Sequence, residues 1–158
     1  MAGAAPAATW YVARLGDDAA AGTNWTTAKG TIQAGVDAAS PGDLVLVSNG
    51  VYATGCRVTP GYSASNRVVI TKNITVQSVN GPTVTAILGL HDGASSDRAK
   101  NMRCVFITNG LLSGFTLTNG AALAGGTIFD YAGGGAFAAG GTLSNCIIAR
   151  CEAVYGGG

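Results

Sequence analysis

Charge is scarce in this chain. Of its 158 residues only 11% are Asp, Glu, Lys or Arg, and nine basic against eight acidic residues leave a net charge of +1 at pH 7. Such a surface produces none of the positive field that nucleic acid or an anionic membrane attracts, so neither is an expected partner. Long apolar runs are missing too: none approaches the ~18 residues needed to span a bilayer. Proline is rare, at four residues, and histidine occurs once, as His91. No Ser or Cys partner for His91 is evident, which argues against a nucleophilic triad. No Gly-Lys-Ser/Thr follows the glycine runs, so they are not phosphate loops. The opening residues, Met1 to Ala8, are small and apolar but lack the basic stretch of an intact signal peptide; a signal already removed is the expectation. The four cysteines, Cys56, Cys104, Cys146 and Cys151, contain no Cys-x-x-Cys pair, which makes a zinc site improbable. They read as free, mostly buried thiols acting as small hydrophobes, with a Cys146–Cys151 disulfide as the alternative.

What is abundant is apolar and small. Hydrophobic residues make up 47% of the chain and glycine contributes 25 residues. This is the opposite of a disordered composition, and glycine on that scale disfavours a helical bundle. Short strands joined by glycine-rich turns fit better. Trp10–Ala13 is a first β-like segment, followed by a turn-prone stretch from Gly16 to Asn24. Thr26 or Thr27 then caps a helix running to about Ala39, with Ile32, Val36 and Ala39 on one apolar face. Ser40-Pro41-Gly42-Asp43 ends it. Beyond Asp43 the chain is a succession of short strands: Leu44–Val47, Val68–Thr71, Ile74–Val79, Thr83–Ile87, Val105–Thr108, Gly114–Thr118, Gly135–Ala138 and Asn145–Ala149.

These strands repeat as units. Residues 105–120 align without gaps on residues 136–151, placing Phe106 over Phe137, Gly110 over Gly141, Leu112 over Leu143, Phe115 over Cys146 and Leu117 over Ile148. The segment from Val68 to Gly81 fits the same frame with two residues fewer at the turn. A unit repeated in this way, each copy too small to bury its own face, is the signature of a solenoid. In one coil a strand, a tight turn and a second strand wrap a narrow core. Stacking at the ~4.8 Å strand spacing would build inward ladders from Ile74, Val76, Phe115, Leu117, Cys146 and Ile148. Asn-Gly and Gly-Gly pairs at the corners permit the positive φ that a sharp bend requires. The expected fold is an all-β solenoid, a right-handed parallel β-helix of about three to four coils. A cap with its helix at about 27–39 occupies residues 1–43, and the coils occupy 44–158 with an open C-terminal end.

The phrases Gly22-Thr23-Asn24-Trp25, Thr31 to Ala39, Pro41 to Tyr52 and Ile74 to Pro82 resemble the N-terminal region of the pectin-lyase-like right-handed β-helix superfamily. Asn145-Cys146-Ile147-Ile148 followed by Gly156-Gly157-Gly158 is similar to the glycine-rich repeats of large bacterial surface proteins and autotransporter-like passengers. The resemblance implies a secreted or surface-displayed bacterial protein. It does not choose a function, because the superfamily mixes lyases, hydrolases, adhesins and binding proteins.

Catalytic residues are hard to find. The one charge-dense stretch runs from His91 to Lys100. There Asp92 and Asp97 could hold calcium and Arg98 or Lys100 could act as base, but a solvated loop is the simpler reading. Asp17 and Asp18 read as turn formers, with calcium binding as the alternative. Trp10, Trp25, Tyr52 and Tyr62 suggest a sugar-stacking surface or, more simply, packing around the cap. The expectation is therefore a non-catalytic structural or interaction module without a cofactor. It would associate with itself, as an oligomer or filament, or with further β-helix coils. The edge carrying Cys146, Ile148, Val154 and Tyr155 would make the contact. The alternative is a calcium-dependent polysaccharide lyase or glycan-binding module.

Overall fold

The structure, a computed structural model, describes residues 6–93 and 100–154. Thirteen short strands fall into three sheets whose rungs are parallel, apart from one antiparallel pair at the edge of the third sheet. The first sheet stacks β1 (Thr9–Val12), β2 (Leu44–Val47), β6 (Thr75–Ser78), β9 (Leu111–Ser113) and β12 (Thr142–Ser144). The second stacks β3 (Gly50–Tyr52), β7 (Thr85–Leu88), β10 (Thr116–Thr118) and β13 (Ile147–Ala149). The third stacks β5 (Ser65–Ile70), β8 (Met102–Ile107) and β11 (Ala136–Ala138), with β4 (Arg57–Val58) pairing antiparallel to the start of β5. The chain visits the three sheets in turn, so it is a parallel β-helix of about four turns with a helix near its N-terminus, as the repeat predicts.

Like residues lie on like residues. One inward ladder runs Val45, Val76, Leu112, Leu143, a second runs Tyr52, Ile87, Leu117, Ile148, and a third runs Val68, Val105, Ala136. The gapless alignment of 105–120 on 136–151 is the observed register, with Phe106 opposite Phe137 and Leu117 opposite Ile148. The assignment of Ile74 and Val76 to the ladder of Phe115 and Leu117 is corrected: Val76 lies under Leu112 in the first sheet, and Leu117 stacks on Ile87. A coil also has three strands where the sequence suggested two. Leu111–Ser113 and Thr142–Ser144 are strands rather than parts of a turn. Their brevity hides them, and Gly110 (φ 78°) and Gly114 (φ 83°) bend the chain on either side of β9. A Cβ at Gly110 would lie 2.3 Å from the Ile74 carbonyl oxygen, so the corner closes only with glycine there.

At the N-terminal end each sheet meets at least one partner group. The segment 22–29 runs along β1, with Tyr11 N–H donating to the Gly22 carbonyl, and Lys29 N–H to that of Tyr11. Because these residues serve the sheet edge, they do not join the helix. Residues Trp25–Thr27 form a 3-10 turn, and α1 spans Ile32–Ala38, starting later than the sequence suggests. Thr31 caps α1 by accepting from the Ala34 amide. The helix lies against the first rung so closely that a Cβ on Gly35 would come within 2.7 Å of Val12 Cγ2. From α1, the Gln33 carboxamide stands in for a missing strand: its Oε1 accepts from Val69 N–H at 2.7 Å and its Nε2 donates to the Val69 carbonyl at 3.5 Å. On the second sheet, Arg14 donates to the Val51 carbonyl of β3.

Asp43 ties the cap strand to the helix exit. Its carboxylate accepts from the amides of Ser40 and Ala8 and from Trp10 Nε1, all between 2.8 and 2.9 Å. These hydrogen bonds, the Ser40 amide foremost, hold its pKa below the ordinary carboxylate value. A depressed folded-state pKa contributes stability above the unfolded value of ~3.9 that disappears as pH falls through the folded value. Wild-type Tm should therefore drop between about pH 5 and pH 2. Asp43→Asn should be less stable at neutral pH and less sensitive to acid, as differential scanning calorimetry across this range would show.

The polar centre of the fold is Arg103, which has no exposed surface. Its Nε donates to the Ala132 carbonyl at 2.8 Å, its Nη2 to that of Phe129 at 2.5 Å, and its Nη1 reaches Thr59 Oγ1 and Asn66 Oδ1 at 3.4 Å. The guanidinium also lies 5.3 Å from the centre of the Phe137 ring. Burial lowers its pKa to about 10, partly offset by Asp130, so it stays charged at neutral pH. Arg103→Met would leave two carbonyls without donors, each worth ~1–3 kcal/mol when buried and unpaired. Urea denaturation should report a loss of at least ~2 kcal/mol, and Arg103→Lys, lacking the planar fork, should recover only part of it.

Candidate functional site

Three long excursions leave the coils between the second and third sheets: residues 53–64 in the first coil, 89–101 in the second and 119–135 in the third. Parallel stacking puts them side by side on one face. Contacts among them are specific. Asp130, in the short helix α2 (Ile128–Tyr131), accepts from the amides of Ser63 and Ala64 at 2.8 and 3.1 Å and from the amide and hydroxyl of its own N-cap, Thr127. Burial pushes its pKa upward, but these bonds outweigh burial and hold the carboxyl below its usual value. Asn101 links the second excursion to the third through its donation to the Ala122 carbonyl at 2.8 Å. Tyr62 stacks on Phe129 with ring centres 4.4 Å apart, and Phe129 leans on Phe137, which stacks on Phe106.

The charge-dense segment belongs to the middle excursion. Asp97 and Arg98 lie outside the described residues. Asp92 is half-buried, its amide donating to Asn101 Oδ1 at 2.9 Å, and Lys100 is exposed. His91 Nε2 lies 3.1 Å from Glu152 Oε2, a pairing across distant sequence that no local spacing signals. Among the described residues no three His, Cys, Asp or Glu side chains gather where a metal ion could sit. Nor is any helix among them long and apolar enough to cross a membrane. Asp17 and Asp18 are turn residues: Asp17 accepts from the Ala19 amide, and Asp18 binds the amides of Gly30 and Thr31 and the Thr31 hydroxyl.

The four aromatic candidates do not form one surface. Trp10 is bonded to Asp43, Trp25 meets the edge of Tyr11, and Tyr52 is buried with its hydroxyl donating to the Ser48 carbonyl. Tyr62 belongs to the loop stack. The cleft beside Arg14, Val51, Tyr52 and Thr54 holds about 110 Å³, below the ~300 Å³ at which small-molecule sites begin, and a wider, more open depression beside Trp25, Ser48, Asn49, Val79 and Asn80 holds about 410 Å³.

At the opposite end of the solenoid the described residues place no further strand. Strands β11, β12 and β13 are outermost in their sheets on the same side, and among the described residues nothing pairs with their outer edges. Along the second ladder, exposure rises from zero at Ile87 and Leu117 to 37% at Ile148, with Ile147 at 46% and Val154 at 49%. Cys146 is half-buried, its thiol near the Ser144 and Leu112 carbonyls. Tyr155 lies outside the described residues. The three strands read Ala-Phe-Ala, Thr-Leu-Ser and Ile-Ile-Ala, so they lack the charges and prolines that usually protect an exposed edge. Neither the family models, nor the curated proteins, nor the solved structures compared with this chain contain a match to it.

Proposed function

We propose that this chain is a non-catalytic structural or interaction module, and that it associates through the open edge formed by β11, β12 and β13. The observation that carries this reading is the contrast between the two ends. Arg14, Gln33 and the segment 22–29 answer the backbone groups at the N-terminal end. Among the described residues, the other end presents an uncharged row of strands without outer partners, with Ile147, Ile148 and Val154 exposed. Covering one such aliphatic side chain contributes ~1.5–3 kcal/mol, and edge pairing adds backbone hydrogen bonds.

The occupant this contrast favours is a second copy. A copy stacked head to tail would meet the end that carries these groups, whereas two open edges can meet about a two-fold axis. A closed dimer is therefore the assembly proposed, ahead of a filament. Membership of the pectin-lyase-like superfamily and display outside a bacterial cell complete the reading, and both rest on the sequence resemblance alone. The lyase alternative draws on Asp92, Asp97, Arg98 and Lys100. It would be supported by calcium-dependent release of unsaturated sugar from uronate polymers that Asp97→Ala abolishes.

Light scattering across a hundredfold concentration range, with electron microscopy of the same samples, tests the assembly. A mass rising to twice the chain mass supports the dimer. Ile148→Lys, placing a charge on the edge strand, should weaken association at least ~tenfold with the circular dichroism spectrum unchanged. A monomer at every concentration would sink the proposal, and filaments would overturn its two-fold form.

A further inference from the structure

Four Asn-Gly steps lie at corners of the coils: Asn49-Gly50, Asn80-Gly81, Asn109-Gly110 and Asn119-Gly120. The fold treats them differently. Gly50 N–H donates to the Val84 carbonyl at 2.9 Å, and Gly81 N–H to Ser78 Oγ at 3.1 Å. The two carboxamides are engaged as well, Asn80 Nδ2 donating to Asn49 Oδ1 at 2.8 Å. Asn119 leads into a glycine that is buried. Asn109 is exposed, and the Gly110 amide turns back onto it, donating to Asn109 Oδ1 at 2.8 Å. That bond sets the Gly110 nitrogen beside the side-chain carbon Cγ, and among the described residues the amide has no other acceptor. The backbone around it is anchored. Thr108 N–H donates to the Ile70 carbonyl and Leu111 N–H to that of Ile74, both at 2.9 Å, and the Gly110 carbonyl accepts from Thr142 N–H at 3.0 Å.

We propose that Asn109-Gly110 is a self-modification site, at which the carboxamide closes on the Gly110 nitrogen to a succinimide and opens in water to a carboxylate. The Gly110 amide gives its proton to solvent hydroxide, and its nitrogen attacks Asn109 Cγ to form a C–N bond. The Cγ–Nδ2 bond breaks, and Nδ2 takes a proton from water and leaves as ammonia. Water then adds to one imide carbonyl and breaks its bond to nitrogen, leaving an acid where the amide stood. No oxidant or reductant takes part. Closure consumes the glycine N–H, so its cost depends on what that N–H was bonded to. At Asn49 it breaks a backbone bond to Val84, and at Asn80 the bond to Ser78. At Asn109 it gives up only the bond that brings the nucleophile to its target, and such positioning removes a large share of a barrier. Ring opening is directed too. The isoaspartyl product adds one main-chain carbon between the anchored amides of Thr108 and Leu111, whereas the aspartyl product keeps the native chain length. The fold therefore favours aspartate, and the net charge of +1 at pH 7 falls by one.

The test incubates the folded full chain in mildly alkaline buffer and follows its peptides by mass spectrometry. Asn109 should convert at least ~tenfold faster than Asn49 and Asn80, the difference that one hydrogen bond makes. Ion exchange should resolve a growing, more acidic species. In urea, where the corners are lost, the same three residues should convert at closely similar rates. Protein isoaspartate methyltransferase, which recognises the added main-chain carbon, should label a smaller share of the folded product than of the urea product. Asn109→Gln should abolish the early acidic species with the circular dichroism spectrum unchanged. Equal rates at the three residues in folded protein, a preference undiminished in urea, or an early acidic species that survives Asn109→Gln would overturn the proposal. Equal isoaspartyl shares would overturn the directed opening.

Discussion

A parallel coil cannot satisfy its own backbone. Each strand's N–H and C=O groups point along the solenoid axis and are answered only by the coil before and the coil after. Everything else in this molecule follows from that constraint. Interior rungs are answered by their neighbours in strict register, which is why Leu112 sits on Val76 and Leu117 on Ile87. At the N-terminal end no earlier coil is found among the described residues, and groups of three different chemistries stand in its place. They are the two ends of the looped segment 22–29 against β1, a carboxamide against β5 and a guanidinium against β3.

The same constraint explains where polar residues are found. With charge confined to 11% of the chain, the few buried polar side chains hold loops to the stack. Arg103 draws its partners from all of the structure around it: two carbonyls of the third excursion and two side chains beside the first. Asp130 makes the reciprocal connection with backbone amides of the first excursion. Charged groups of opposite sign thus join the same two loops without pairing directly, each neutralised by backbone dipoles, which bind a buried ion at lower desolvation cost than an apolar site would.

Much of the fold was legible because the repeat is literal. Phe106 over Phe137 and Leu112 over Leu143 are visible as identical letters, and they are the observed register. The third strand of each coil was not legible, since three residues such as Leu111–Ser113 carry too little alternation to stand out from a turn. The start of α1 was misplaced because local helical signals at Thr26 and Thr27 compete with the edge of β1 for the same backbone groups, and the sheet wins. Of the features that bear on function, the apolar character of the last described strands could be read from the ladder pattern. The Arg103 network and the His91–Glu152 contact could not, because each joins residues whose separation is set by the length of an intervening loop.

Those loops all leave from a single corner. Axial rise is fixed by the rungs and is independent of how much chain is extruded there, so the excursions can differ in length, as 53–64 and 119–135 do, while the ladders keep their spacing. Mechanical support and variable surface are thereby assigned to different corners of one triangular cross-section. Substitutions or insertions at that corner alter what the molecule displays along its flank and leave the pitch of the stack unchanged.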